Sequence, residues 1–374
     1  MRRSSALRWM AVALGALVAA ACGQPPQPAN NGGSRAAVSA GPSAGEAATP
    51  AGGSAVAGAT GALAEAAPEL ATLNLASVSP APTSLPLEVA DDAGYFLEHG
   101  LTLSHTYVSS TVAVQGLVSG SLDLYHGGAA TITATLGGAD LAYVAATVDR
   151  SALMLFGEKG LSGFADFRGK TIGTTAAGAF GEIAALHTAR QYGLVAGQDF
   201  TFRYHPNSEA VFASFSSGLI DGAVVSPPWN LRLQELGYPM LIDYFQQGLK
   251  IIGPAPATTR AFARAHPNTI KAFLRAYLDG TKRALEDRPY ATAIYARINR
   301  LEDGPQAAAD YDEGARVWNK DLRVSPAAVE VVLESSPHPN AKTARASDFY
   351  DNTFADEIHA TYATRLFPEL ASQP

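Results

Sequence analysis

The sequence has one cysteine, Cys22, in 374 residues. A single thiol excludes an internal disulfide, and it leaves the rest of the chain without a cysteine nucleophile or metal ligand. The eight histidines include no H-x-x-x-H pair or other closely spaced ligand pair, and no G-x-S-x-G elbow occurs. We therefore expect no metal, no cofactor and no catalytic residues.

Basic residues and long apolar runs are also scarce. Lys and Arg total 27 against 34 Asp and Glu, so the formal net charge is -7 and the pI is about 5.6. This balance argues against nucleic acid or an anionic membrane surface as a partner. The apolar run from Trp9 to Ala21 would span roughly 20 Å as a helix, which is short of the ~30 Å core of a bilayer.

The residues around Cys22 indicate an export signal. A basic start precedes the apolar run, and the small residues Ala19 to Ala21 lead directly into Cys22. This order resembles a bacterial lipobox, in which the cysteine is acylated, although Ala19 stands where leucine is usual. We predict a signal peptide over residues 1–21 and lipid attachment at Cys22. A plain signal peptide with an incidental cysteine is the alternative.

The segment after Cys22 is poor in charged and large apolar side chains. Gly23 to Ala67 consists mainly of Gly, Ala, Ser, Pro and Asn, so it buries too little apolar surface to offset the entropy lost on ordering. We predict a lipid-anchored flexible tether over residues 22–67 and a folded part over residues 68–374. About 300 residues are enough for two packed domains.

Strand-like and helix-like patterns alternate along the folded part, which predicts mostly parallel sheets flanked by helices. The alternation has two rounds, and the second begins near Ser151. In the first round VQGLVSGSLDLYHGG (Val114 to Gly128) aligns with FASFSSGLIDGAVVSPP (Phe212 to Pro228) in the second. Each has a short helix, Ser-Gly-x-x-Asp, a buried strand and a loop. Apolar spacing also predicts single helices from Pro86 to Gly100 and from Thr269 to Glu286.

Ligands of open α/β sheets bind outside the carboxyl ends of the strands, where loops and helix N-termini point. Four loops at such positions are rich in small residues, hydroxyl groups and free N–H groups: SPAPTS, HGGAAT, TTAAGAFGE and SPPWN. The predicted ligand-binding residues come from these loops: Ser79, Thr83, Ser84, Gly127, Gly128, Thr131, Thr175, Ala177, Gly178, Phe180, Ser226 and Trp229.

Several of these pieces together resemble the solute-binding proteins of ABC importers. They are ADDAGYFLEHGLTL, DFRGKTIGTT with AFGEIAALHTARQYGL, FASFSSGLIDGAVVSPPWNLRLQELG, and TTRAFARAHPNTIKAFLRAYLDGTKRALED. More narrowly, they are similar to the group that serves nitrate, alkanesulfonates, taurine, thiamine-precursor pyrimidines and riboflavin. The resemblance covers roughly Leu73 to Arg297.

The resemblance implies a type II periplasmic-binding fold, with two lobes joined by two crossing strands. Lobe one would comprise about residues 68–150 and 253–374, and lobe two about residues 151–252. The implied partners are a small-molecule ligand, a cognate permease and its ATPase, with the chain a monomer held to the extracytoplasmic face of the cell membrane by its lipid. A related fold serves a fungal-type pyrimidine synthase with a cysteine-rich segment, which this chain lacks.

The residues leave the ligand open. Phe180 and Trp229 would suit a flat heterocycle such as riboflavin or a thiamine-precursor pyrimidine, which is the preferred hypothesis. Helix N-termini and Arg150 would suit an alkanesulfonate, taurine, nitrate or a similar oxyanion, which is the alternative. A tethered sensor without transport is a second alternative.

Overall fold

The computed structural model describes residues 66–301 and 304–372. The predicted signal peptide, Cys22 and the predicted tether up to residue 65 lie outside the described residues. The described strands are β1 Thr72–Ser77, β2 Thr102–Tyr107, β3 Leu124–Gly127, β4 Leu141–Tyr143, β5 Met154–Gly157, β6 Thr171–Thr174, β7 Thr201–Tyr204, β8 Gly222–Val225, β9 Met240–Asp243 and β10 Ala255–Thr259.

Helices cover both sheets and form the C-terminal part. The described helices are α1 Leu85–Asp92, α2 Tyr95–Glu98, α3 Ser110–Ser119, α4 Ala130–Leu136, α5 Phe180–Gln191, α6 Ser208–Ser216, α7 Trp229–Glu235, α8 Arg260–Ala265, α9 Pro267–Glu286, α10 Arg288–Asn299, α11 Gly304–Val317, α12 Pro326–Ser335, α13 Thr353–Ile358 and α14 Thr364–Leu366. Within residues 66–301 and 304–372, none of the helices has the length and apolar character needed to cross a bilayer.

The strands form two five-stranded sheets with matching order, β2-β1-β3-β10-β4 in lobe one and β7-β6-β8-β5-β9 in lobe two. The first three strands of each order are parallel, as predicted. The fourth strand, β10 or β5, is antiparallel to both of its neighbours, so each sheet is mixed. Each of these strands follows a crossing between the lobes and therefore enters its sheet from the opposite direction. The predicted two-lobed α/β fold is confirmed.

The repeated Ser-Gly-x-x-Asp segment has the same structural role in both lobes. Gly120 and Gly218 end or follow their helices in the left-handed region, with φ of 75° and 72°. Asp123 accepts a hydrogen bond from the Asn74 backbone N–H at 2.8 Å, and Asp221 accepts one from the Thr171 N–H at 2.7 Å. The aspartate thus ties the central strand of each sheet to its parallel neighbour.

The two segments that cross between the sheets lie side by side. The Gly253 N–H donates to the Val148 carbonyl at 2.9 Å, and the Ile251 N–H donates to the Asp149 carbonyl at 3.1 Å. The chain passes from lobe one to lobe two through the first segment and returns through the second. This pair is therefore the hinge of the two lobes.

The predicted helix Pro86 to Gly100 is wrong in one respect, because the structure has two helices there. Gly94 adopts a φ of 80°, which ends the α-helical path between α1 and α2. The predicted helix Thr269 to Glu286 is confirmed as α9, which begins at Pro267. Phe273 of α9 stacks on Phe96 of α2, with ring centroids 5.5 Å apart, in the core of lobe one.

Candidate functional site

Two adjoining cavities lie between the lobes. The larger, of about 960 Å³, is called the large cavity, and the smaller, of about 670 Å³, beside the two crossing segments, is called the hinge cavity. Ala81, Thr83, Phe180 and Pro254 line both cavities. Together they form one cleft at the carboxyl ends of the strands, where the sequence predicts the ligand site.

The large cavity is lined by the starts of three helices of eight or more residues. Thr83 and Ser84 precede α1, Ser110 and Thr111 open α3, and residues 176–180 lead into α5. The first N–H groups of a helix have no partner within the helix, and its dipole favours negative charge there. None of the described residues that line this cavity carries a charged side chain. The lining is therefore neutral and mostly apolar, and its polar part consists of hydroxyl groups and helix starts.

The titratable groups beside the large cavity are held neutral. Burial, with a smaller effect of His105, lowers the pKa of His126 to about 3. Its Nε2 lies 2.8 Å from Thr147 Oγ1, and that hydroxyl donates to the Pro254 carbonyl, so Nε2 carries the proton. Burial raises the pKa of Tyr125, whose hydroxyl bonds to Ser110. Neither group adds a charge to the cavity near pH 7.

A carboxylate fixes the loop before α5. The Gly178 N–H donates to Glu182 Oε2, and the Tyr204 hydroxyl donates to Glu182 Oε1 at 2.5 Å. Burial, together with this hydrogen bond and the charge of Glu182, raises the pKa of Tyr204 to about 12, so the hydroxyl keeps its proton. The loop is therefore shaped before a ligand arrives.

Phe180 stands between the cavities and touches the opposite lobe. A Cβ atom added to Gly128 would lie 2.8 Å from Phe180 Cζ, which is too close for any side chain. The Phe180 ring of lobe two thus packs directly on Gly128 of lobe one.

The hinge cavity differs from the large cavity in charge. Arg150, Glu209, Asp310 and Glu313 all line it. The Arg150 side chain is 46% exposed, and its Nε lies 3.9 Å from Asp149. Burial and the charge of Asp310 raise the pKa of Glu313 to about 8. Among the described lining residues, this end of the cleft has three carboxyl groups and one guanidinium.

Trp229 lines the hinge cavity, but its ring already has two neighbours. Its ring centroid lies 5.0 Å from that of Phe212, and the Arg232 guanidinium carbon lies 4.9 Å from it. The indole is nevertheless partly exposed to the cavity. Phe180, in contrast, lines both cavities.

Most of the predicted ligand-binding residues meet in this cleft. Those that line the large cavity are Ser79, Thr83, Ser84, Gly127, Gly128, Ala177, Gly178 and Phe180, and those that line the hinge cavity are Thr83, Phe180, Ser226 and Trp229. Thr131 and Thr175 line neither cavity. Thr131 is 1% exposed and lies behind the lining, and Thr175 directly follows the end of β6.

Lining residues that the sequence did not indicate include members of helices α3, α6, α10 and α11: Ser110, Thr111, Gln115, Ser208, Glu209, Tyr295, Gln306, Asp310 and Glu313. Helices α10 and α11 lie beyond the two repeated rounds. The one signal was the spacing of Asp310 and Glu313, three apart on a helix that is otherwise rich in alanine and glycine at that face.

One group of side chains has the serine–histidine–acid order of a hydrolase triad: Ser77, His105 and Glu88. Ser77 Oγ lies 3.0 Å from His105 Nε2, but His105 Nδ1 is 3.8 Å from Glu88 Oε1. Ser77 is 2% exposed and lines neither cavity, so no substrate reaches it. The arrangement joins β1, β2 and α1 and has no access for catalysis. Among the described residues, no group of three or more His, Cys, Asp and Glu could hold a metal ion.

The family model described as NMT1/THI5 like matches residues 81–290, more than half of the chain. The chain belongs to the NMT1/THI5-like family. No curated protein matches the chain in sequence.

Solved structures share the fold at low sequence identity. The aliphatic sulphonate binding protein SsuA from Escherichia coli is 19% identical, with a TM-score of 0.59, over 80% of this chain and 89% of that one. The nitrate-binding protein NrtA from Synechocystis PCC 6803 is 14% identical, with a TM-score of 0.59, over 82% and 92%. A protein of Bordetella bronchiseptica RB50 is 20% identical, with a TM-score of 0.63, over 80% and 99%. The family match confirms the resemblance found in the sequence, and these structures share its fold.

Proposed function

We propose that the chain is the extracytoplasmic solute-binding component of an ABC importer and that it captures a small oxyanion, such as an alkanesulfonate. It would deliver this ligand to a membrane permease driven by its ATPase. The observation that carries the ligand class is the large cavity, where three helix starts and several hydroxyl groups converge without a charged side chain. Uncharged donors bind a permanent anion without the desolvation cost of a buried cation.

The oxyanion, the alternative in the sequence analysis, now ranks above the heterocycle. Solved relatives of the same fold include sulfonate- and nitrate-binding proteins. In addition, the Trp229 ring already contacts Phe212 and Arg232, which leaves less of it for a ligand than if it were free. A heterocycle is kept as the second candidate, because the Phe180 ring borders both cavities.

Cys22 would anchor the chain by its lipid to the outer face of the cell membrane, with the chain acting as a monomer. Two or more acyl chains, at about 0.8 kcal/mol per buried CH₂, would hold it there. Loss of acyl labelling in Cys22→Ser, with normal ligand binding, is the expected result. Unchanged labelling would refute the anchor.

Calorimetric titration with an alkanesulfonate, nitrate, riboflavin and a thiamine-precursor pyrimidine tests the ligand class. We expect the sulfonate to bind and, at a hundredfold excess over its Kd, to stabilise the fold by about 2.7 kcal/mol. Trp229→Phe should bind it within about threefold of the wild type. Thr83→Val should lose about tenfold or more, since a hydrogen bond to a charged group contributes about 1.5–3 kcal/mol.

Thr201→Val is the matched control, because Thr201 lies on β7 outside both cavities. It should bind the sulfonate as the wild type does. Tight binding of riboflavin or the pyrimidine that is lost in Trp229→Phe, with no sulfonate binding, would reject the oxyanion and favour the heterocycle.

A further inference from the structure

Glu313 is a buried carboxyl group that faces the hinge cavity without a partner. It is 8% exposed and lines the cavity from helix α11. Within the described part of the chain it has no hydrogen bond or ion pair. The nearest guanidinium on its own helix, Arg316, is paired with Asp243 at 3.2 Å.

Asp310 extends the acidic wall one turn earlier on α11. It is also 8% exposed, and its Oδ1 accepts a hydrogen bond from Gln306 Nε2 at 3.0 Å. The Tyr295 hydroxyl of α10 bonds to it as well. Asp310 is therefore oriented by its neighbours, whereas Glu313 is left with free acceptor atoms.

Burial of a carboxylate without a partner destabilises the fold unless a ligand supplies the partner. An isolated buried carboxylate is unfavourable, and it keeps its proton instead. Burial and Asp310 accordingly raise the pKa of Glu313 to about 8. Arg150, the one guanidinium among the described residues of the cavity lining, is close to Asp149 rather than to this wall. A cationic group from a ligand would supply the missing partner.

We propose that Glu313 and Asp310 form a subsite for a protonated amine. The ligand would then be a small zwitterion whose oxyanion lies in the large cavity and whose amine lies in the hinge cavity. This inference rests on the proposed function for the position of the oxyanion. Thr83 and Phe180 line both cavities, so the amine and the oxyanion of one elongated molecule would lie on either side of Phe180.

The subsite makes binding depend on pH in a defined direction. The amine favours the ionised Glu313, so binding releases a proton below the pKa of the free group. The charged and titratable groups around Glu313 are Asp310 and Arg316 on α11, Tyr295 on α10, and Arg150 and Glu209 across the cavity. Affinity for an amino ligand should rise up to about tenfold per pH unit towards pH 8 and then level off.

Calorimetric titration of the full chain tests the subsite. The probes are ω-aminoalkanesulfonates of increasing length and alkanesulfonates matched in length but lacking the amine. We expect the best amino probe to bind at least tenfold more tightly than its match at pH 8 and to release a proton at pH 7. Glu313→Gln should remove the preference and the pH dependence together.

Asp312→Asn is the control, since Asp312 lies on the same helix but is exposed and pairs with Arg288. It should keep both the preference and the pH dependence. Equal binding of amino and plain sulfonates in the wild type, unchanged in Glu313→Gln, would overturn the subsite and leave the proposed function intact.

The two proposals fail in different ways. If no sulfonate binds, butylamine is titrated at high concentration into the wild type and Glu313→Gln. Binding of the amine that requires Glu313 would support the subsite while the oxyanion proposal falls. Absence of amine binding as well would overturn both.

Discussion

Glu88 of α1 is a buried carboxyl group through which the stability of the fold depends on pH. The Tyr107 hydroxyl donates to its Oε1 at 2.7 Å. Burial raises the pKa of Glu88 to about 7; the charge of Asp91 adds to this rise and the Tyr107 hydrogen bond opposes it. The folded chain therefore keeps a proton that the unfolded chain releases above about pH 4.5.

The free energy of unfolding should consequently fall as pH rises from about 4.5 to 7, because the folded state binds more protons in that window. The loss from Glu88 is about 3 kcal/mol at most. Glu88→Gln should remove this loss and be more stable than the wild type above pH 7. Urea unfolding of both proteins at about pH 5 and pH 8 measures the difference.

Glu98→Gln, an exposed change on α2, is the control and should alter stability equally little at both pH values. Burial lowers the pKa of His105 to about 4, which acts in the opposite direction between about pH 4 and 6.5. At pH 8 His105 is neutral in both the folded and the unfolded chain, so its own titration adds nothing to the stability difference measured there. The same stability difference between Glu88→Gln and wild type at both pH values would contradict the argument.

At the scale of elements, the contact between α1 and α9 depends on Gly280. A Cβ atom at this position would clash with the Pro86 carbonyl oxygen and lie 2.6 Å from Ala90 Cβ. Replacing glycine by alanine inside a helix ordinarily stabilises it by about 1 kcal/mol. Here α1 lies so close that we expect the same replacement to destabilise the fold.

Gly280→Ala should destabilise the fold by about 1–3 kcal/mol, the usual cost of an overpacked contact. Gly304→Ala is the matched control, because Gly304 opens α11 with nothing within 4 Å of an added Cβ. It should be neutral or slightly stabilising. Thermal unfolding of the two variants compares them, and similar melting temperatures for both would show that α1 can move away.

The sequence predicted the elements whose signals are local. Apolar spacing gave α9 to within two residues, and the Ser-Gly-x-x-Asp repeat located the strands β3 and β8. It could not locate Asp310 and Glu313 in the cleft, because their place depends on α11 packing beside the loop at Pro82. Nor could it show that Thr131 is buried outside the cavity lining, since the rotation of a short helix is set by its tertiary contacts.

On the scale of the whole molecule, the lobes are connected by more than the hinge. Helix α12 of the C-terminal part packs on lobe two, where the Arg190 guanidinium donates to the Glu334 carbonyl. The segment after it reaches lobe one through Asn340 Nδ2, which donates to the Leu136 carbonyl at 3.0 Å. The cleft itself is bridged by Phe180 against Gly128. Closure around a ligand therefore depends on how closely this ring can approach.

Gly128→Ala should hold the lobes apart, because the added Cβ meets the Phe180 ring and Gly128 does not occupy the left-handed region that would itself disfavour alanine. We expect about tenfold weaker binding, from an overpacking cost of about 1–3 kcal/mol. X-ray scattering should show a smaller ligand-induced decrease in the radius of gyration than in the wild type. Adding Phe180→Leu should restore the decrease by making room.

Gly163→Ala is the control, because a Cβ atom added there has nothing within 4 Å, and it should behave as the wild type. Wild-type affinity and compaction in Gly128→Ala would mean that Phe180 moves aside and does not limit closure.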